Sequence, residues 1–240
     1  MARQERGIRS RHSILEAAAD VFGERGYDAA STNEILSRAG LTRGALYYHF
    51  PSKEAIATAL VEAQGEALTV PERRTWLQSA IDLTLSFAHR LKTDTVLRAS
   101  VRLTVEQSSF TSSARAPYDQ AIRAMEDLLR RAERRGELLP GTDVAEVAAT
   151  IVSAFTGLQV VSQAYSDRRD LPLRISAMWR LVLPGLATPG LLPRLDASPS
   201  GEGVRLPGQE VPSATGHRDD GVEPAGHGSR AGAPLADGLP

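Results

Sequence analysis

The chain has 240 residues, 42% of them hydrophobic, which is enough for one large core or two smaller ones. Its 28 basic and 29 acidic residues leave a net charge of -1, excluding a globally basic nucleic-acid binder, so any hold on DNA has to come from a local arrangement. With no cysteine, disulfides and thiolate chemistry are excluded and nothing argues for an oxidising compartment.

Arg3, Arg6, Arg9 and Arg11 against Glu5 make the first dozen residues a basic arm, expected to track phosphates ahead of the first helix. No apolar run follows these charges, so the segment is not a secretory signal and a cytoplasmic protein is expected. Ile14, Leu15, Ala18, Val21 and Phe22 then recur at helical spacing, and Gly26 with Tyr27 closes that helix.

Residues 31–54, STNEILSRAGLTRGALYYHFPSKE, carry the strongest signal. Ser31 and Glu34 form a capping box at the start of one helix, Gly40 supplies the left-handed backbone that ends it, and Thr42 caps a second helix through Tyr48. This is a helix-turn-helix. The second helix buries little beyond Ala45 and Leu46, leaving Thr42, Arg43, Gly44, Tyr47, Tyr48 and His49 outward. Major-groove docking accounts for that face. Arg43 near the helix N-terminus suits the bidentate contact to guanine, while Thr42, Tyr47, Tyr48, His49 and Lys53 reach phosphates. The alternative is an ordinary helical hairpin with its tyrosines in the core, but adjacent residues on a helix point about 100° apart and cannot both face inward.

Pro51 breaks this helix, Ser52 starts a fourth, and Val70 with Pro71 marks a boundary. Beyond it, Trp76, Ile81, Leu85 and Ala88 share one side of a helix, Asp94 caps the next, and SSFTSSARAP is a polar loop. An amphipathic helix from about Tyr118 to Arg135 turns Ile122, Met125, Leu128, Leu129 and Ala132 inward. Asp143 caps an apolar helix to about 166, and residues 171–186 form the last. Within the apolar helix, residues 147–161 are too few to span a bilayer, so no membrane partner is expected. Apolar groups on more than one of its sides require neighbours on both, which a homodimer would supply, although burial inside a monomer is the alternative. Two recognition helices roughly 34–36 Å apart would then read a pseudo-palindromic operator.

The predicted fold is all-α: a three-helix helix-turn-helix domain with a linking helix over 1–69, then a helical-bundle ligand-binding and dimerisation domain over 70–188. Residues 189–240 hold 8 of the 14 prolines and 10 of the 20 glycines without Phe, Tyr or Trp, and are expected to be a disordered tail. No phosphate loop or nucleophile elbow is present and the five histidines lack metal-ligand spacing, so neither an enzyme nor a cofactor or metal is expected.

The helix-turn-helix segment resembles the TetR family of one-component repressors. With AHRLKTDTVLRASVRLT at 88–104, AFTGLQVVSQ at 154–163 and MWRLVLPGLATP at 178–189, the chain is similar to the gamma-butyrolactone receptor branch. That resemblance implies an intersubunit four-helix bundle and a small-molecule inducer, and it strengthens Gln64 and Thr156 as polar groups in an apolar pocket. An exposed helix position is the alternative for Gln64, and a hydroxyl bonded to the preceding turn for Thr156. Trp76, Phe155 and Leu85 complete the expected pocket. The branch typically shows a tryptophan shortly after a Pro-Tyr pair, whereas Pro117-Tyr118 is followed by Asp119, Gln120, Ala121 and Ile122. Three functions follow as candidates: a lactone- or butenolide-responsive repressor of secondary metabolism, a pseudo-receptor for an antibiotic or biosynthetic intermediate, and a ligand-independent architectural DNA-binder.

Overall fold

The computed structural model describes residues 2–68, 73–105 and 115–199, with side chains from Glu5 onward. The described residues form nine α-helices and no strand.

Helix α1, Ala2–Ala29, begins at the chain's start, so Arg6, Arg9 and Arg11 stand on a helix instead of on a separate arm. Alanine, arginine, glutamine and glutamate are strong helix formers, and they propagate α1 through the charged segment. Gly26, at φ 76°, ends its regular geometry. Helix α2, Thr32–Ala39, is capped by Ser31, which accepts from Glu34 N–H at 3.1 Å, and closed by Gly40 at φ 64°. The Glu34 carboxylate accepts from Arg25 Nε at 2.7 Å instead of returning to Ser31, so it ties α2 to α1. Thr42 accepts from Ala45 N–H at 3.3 Å and starts α3, Arg43–His49.

The fourth element is not one helix. After Ser52 caps α4, Lys53–Glu62, the chain tightens into a 3-10 turn over Ala63–Leu68 that carries Gln64. The expected boundary at residues 70 and 71 lies outside the described residues. Ile14, Phe22, Ile35, Leu46, Phe50, Ile56 and Leu60 form the N-terminal core, but Ala99 and Leu103 belong to it too. Those two come from α6, Thr95–Val105, whose Leu97 and Val101 face the second core. Helix α6 is therefore shared between the two cores.

Helix α5, Trp76–Thr93, buries Leu77, Ala80, Ile81, Thr84, Phe87, Ala88 and Leu91. This face is rotated from the expected one, and Trp76 and Leu85 sit at its edges. Its N-terminus is capped from a distance by Glu137, 8% exposed, whose carboxylate accepts from the N–H groups of Trp76 and Leu77 at 3.1 and 2.8 Å. The expected loop over 108–117 lies outside the described residues up to 114. Helix α7, Ala116–Arg134, buries Met125, Leu129 and Ala132.

Helix α8, Val144–Ser166, is capped by Asp143 and buries Ala148, Ile151, Gln159 and Ser162, leaving Val161 and Tyr165 exposed. Only 22% of its most apolar stretch is buried within one chain. Leu181 of α9, Leu171–Val182, is 84% exposed. Residues 189–199 correct the expected tail: Leu191 is buried, Leu192, Leu195 and Ala197 pack on the second core, and Asp196 exchanges two hydrogen bonds with Gln78. Four apolar side chains outweigh the local proline content there. The rest of the expected tail, 200–240, lies outside the described residues.

Candidate nucleic-acid interface and ligand pocket

Leu46 and Phe50 anchor α3 in the N-terminal core and turn its other side outward. Thr42, Arg43, Gly44, Tyr47 and Tyr48 are exposed, Tyr48 at 83%, and His49 is half-buried with its ring 5.0 Å from that of Tyr48. Neither tyrosine serves the core. The Arg43 guanidinium lies 5.7 Å from the Tyr47 ring centre, a spacing that holds it along the helix face by cation–π attraction. Arg38 forks onto Glu24 at 2.7 and 2.9 Å, and these hydrogen bonds hold the Glu24 carboxyl below its usual range. The hairpin is thus braced against α1.

Lys53 departs from expectation. Its ammonium donates to the carbonyls of Tyr27, Ala30 and Asp28 at 2.9, 3.0 and 3.4 Å and lies 4.3 Å from the Tyr27 ring centre. All its donors are engaged where α1 ends, because that turn leaves carbonyls without helical partners and a cation satisfies several at once. It is a brace in this structure, not an outward phosphate ligand.

The second domain holds a cavity of about 80 Å³ between the 3-10 turn, α5, α6, α7 and α8. Its walls are mainly apolar, with Phe87 and Phe155 stacked edge to face at 5.5 Å. Gln64, Phe155 and Thr156 line it as expected. Gln64 is 9% exposed, and its Nε2 donates to Thr104 Oγ1 at 2.8 Å. Thr156 both lines the cavity and donates its hydroxyl proton to Val152 O at 2.9 Å, so toward a ligand it is an acceptor. Trp76 and Leu85 do not line it. Trp76 instead lies under Arg131, 4.7 Å from guanidinium to ring centre, and Leu85 packs on the edge of the second core.

Tyr118 and Ala121, from the stretch where the branch typically shows a tryptophan, line the cavity too, and so do Thr84, Thr104 and Gln159, which were not singled out from sequence. Thr84 is fixed by accepting from buried Trp179 Nε1 at 2.8 Å. Burial pushes the Tyr118 phenol pKa up, which keeps it a donor. Gln159 follows Thr156 by three residues, the spacing of one helix face, and that signal could have found it. Thr104 had no such signal, because its meeting with Gln64 spans 40 residues.

Residues 14–60 match the N-terminal model of the tetR family of bacterial regulatory proteins, and residues 74–188 match the tetracyclin repressor-like C-terminal domain. The A-factor receptor protein of Streptomyces griseus is 41% identical over 192 residues, covering 80% of this chain and 69% of that protein. The chain belongs to the TetR family. Among solved structures, TylP, a TetR regulator from Streptomyces fradiae, superposes with a TM-score of 0.74 at 45% identity, covering 80% of this chain and 93% of that one. CprB from Streptomyces coelicolor, in complex with its biological operator sequence, gives 0.65 at 30% identity over 77% and 93%. For a TetR-family chain the layout assigns two tasks: α3 presents its polar face, and the cavity lies across α6 and the 3-10 turn from it.

Proposed function

We propose that this chain is a ligand-responsive repressor that holds a pseudo-palindromic operator as a homodimer, is released by a small signalling molecule, and controls secondary metabolism from the cytoplasm. Gln64 carries the reading. It lines the cavity, and it sits on the 3-10 continuation of α4, whose first turn abuts the recognition helix. A 3-10 stretch of six residues is longer than the usual three or four and is held by poorer hydrogen bonds than an α-helix, which suits it to act as a hinge. A cavity of about 80 Å³ is well below the roughly 300 Å³ of a small-ligand site, so binding separates the walls and displaces that hinge. The ligand shifts operator affinity only by its differential affinity for the two arrangements.

Arg43 is the proposed base reader, with Thr42, Tyr47, Tyr48 and His49 on phosphates and Gly44 allowing close approach. The proposed dimer face combines Val161 and Tyr165 of α8 with Leu181 of α9 in an intersubunit four-helix bundle. Nothing in this role requires catalysis; the chain acts as a regulator, not an enzyme. The A-factor receptor likeness favours a gamma-butyrolactone or butenolide inducer. Ala121 favours a second reading, a pseudo-receptor for an antibiotic or intermediate, because a methyl group stands on the cavity wall four residues after Pro117 where the branch places a tryptophan nearby. Genomic footprinting with and without culture extract tests the function: protected palindromes that the extract releases support it, and protection indifferent to any extract leaves an architectural binder.

A further inference from the structure

A second cleft, of about 560 Å³, is walled by α1, α6 and the end of α8. Gln159, 3% exposed, lines both this cleft and the apolar cavity, as do Val101 and Val105 of α6, so Gln159 is the polar side chain in the wall between them. Its Oε1 accepts from Arg168 Nη2 at 3.2 Å. Arg168 is itself 9% exposed, and its Nε is buried without an acceptor. A buried guanidinium held by one neutral amide oxygen is under-satisfied, because five N–H donors and a full charge call for an anion. Burial lowers its pKa, Asp167 opposes that and nearby Arg98 adds to it. The carboxylates on the same walls leave room for another. Glu24 is occupied by Arg38, Asp167 accepts from Gln163 at 2.9 Å, and Asp20 is exposed.

We propose that the cleft is an anion subsite of the inducer site, through which the site takes an amphipathic carboxylic acid in addition to a neutral lactone. The acid's apolar chain fills the cavity lined by Phe87 and Phe155, and its carboxylate takes the place of the Gln159 amide oxygen on Arg168, beside Arg98. An ionised acceptor on guanidinium makes a stronger hydrogen bond than a neutral amide, so the exchange favours the acid. This rests on the cavity being the inducer site. It also gives the acid a direct route to the DNA-binding domain. The front wall of the cleft is α1, tied there to α6 by the Arg102 bond to Gly23 O.

Calorimetric titration of the full chain with decanoate and with 1-decanol at neutral pH tests the subsite, because the two probes share a chain and differ in the head group. The wild type is expected to prefer decanoate by about tenfold or more. Arg168→Met, and independently Gln159→Glu, which supplies Arg168 with an internal carboxylate and should not lower the melting temperature, are expected to bring that ratio near one. Equal affinities in the wild type, or a preference that survives in Gln159→Glu, would overturn the subsite while leaving the apolar cavity as the inducer site. Binding of neither probe would overturn the cavity reading along with it.

Discussion

Gln64 Nε2 donates to Thr104 Oγ1 at 2.8 Å, and Thr104 passes its own proton to Ser100 O at 3.0 Å, so the 3-10 turn after α4 is fastened to the helix that both cores share. The residue proposed to meet the ligand therefore also fastens the 3-10 turn. Gln64→Ala and Thr156→Val are expected to keep operator binding while raising the inducer concentration needed for release about tenfold, the scale of one lost hydrogen-bond partner in a ligand site. A gel-shift titration with a lactone or extract that releases the wild type measures this. Unchanged midpoints in both variants would place the inducer elsewhere.

Arg43→Ala should weaken cognate-operator binding by about 1–3 kcal/mol and leave a scrambled duplex almost unaffected, because it removes the proposed base contact from a helix still anchored by Leu46 and Phe50. Parallel fluorescence-anisotropy titrations on the two duplexes separate the cases. Equal losses on both would make Arg43 a phosphate contact.

Lys53→Ala should act on stability, not on base reading. Removing the ammonium takes a charged donor away from the carbonyls of Tyr27 and Ala30, at a cost of about 2 kcal/mol. Thermal melts and the salt dependence of operator binding distinguish the roles: the melting temperature should fall while the slope of log affinity against log salt stays as in the wild type.

A chain cut after Pro199 keeps every contact described here, whereas one cut after Thr188 loses buried Leu191 and the Gln78–Asp196 bonds. The shorter chain is expected to be less stable by about 2 kcal/mol or more, from the leucine burial alone. Urea denaturation of the two truncations makes the comparison. Equal midpoints would show that the segment after Thr188 contributes nothing.

Asp170, 1% exposed, gives an acid-side prediction. Burial alone would raise its pKa, but hydrogen bonds from Arg174 at 2.8 Å, from Ser162, and from Ser166 at 2.7 Å outweigh that and hold the carboxyl at about 2 against an ordinary 3.8. A depressed carboxyl contributes stability that is complete above its unfolded pKa and disappears as pH falls through the folded one. The contribution, about 2 kcal/mol, should therefore be full above about pH 4 and lost toward pH 2. The stability gap between wild type and Asp170→Asn, followed by denaturant melts across that window, should narrow as pH falls; a constant gap would refute it.

Much of this protein is local and was legible in its sequence. Ser31, Thr42, Ser52 and Asp143 each cap the helix their position predicted, Gly40 takes the left-handed turn, and the outward set on α3 needs only helical geometry and two residues that face the core. The hydrophobic face of α1 and the all-helical class follow from period and composition in the same way. Tertiary structure decided what depends on meetings between distant residues. From sequence Lys53 reads as a phosphate contact, but the fold brings it to Tyr27, and Trp76 reads as a pocket wall, but the fold sets it under Arg131. Thr104, Tyr118 and Gln159 joined Gln64 only because α6, α7 and α8 close around the 3-10 turn. Caps and periodicity act over one or two turns of chain, whereas a cavity is set by side-chain contacts between separate helices, and no local pattern encodes which helices those are.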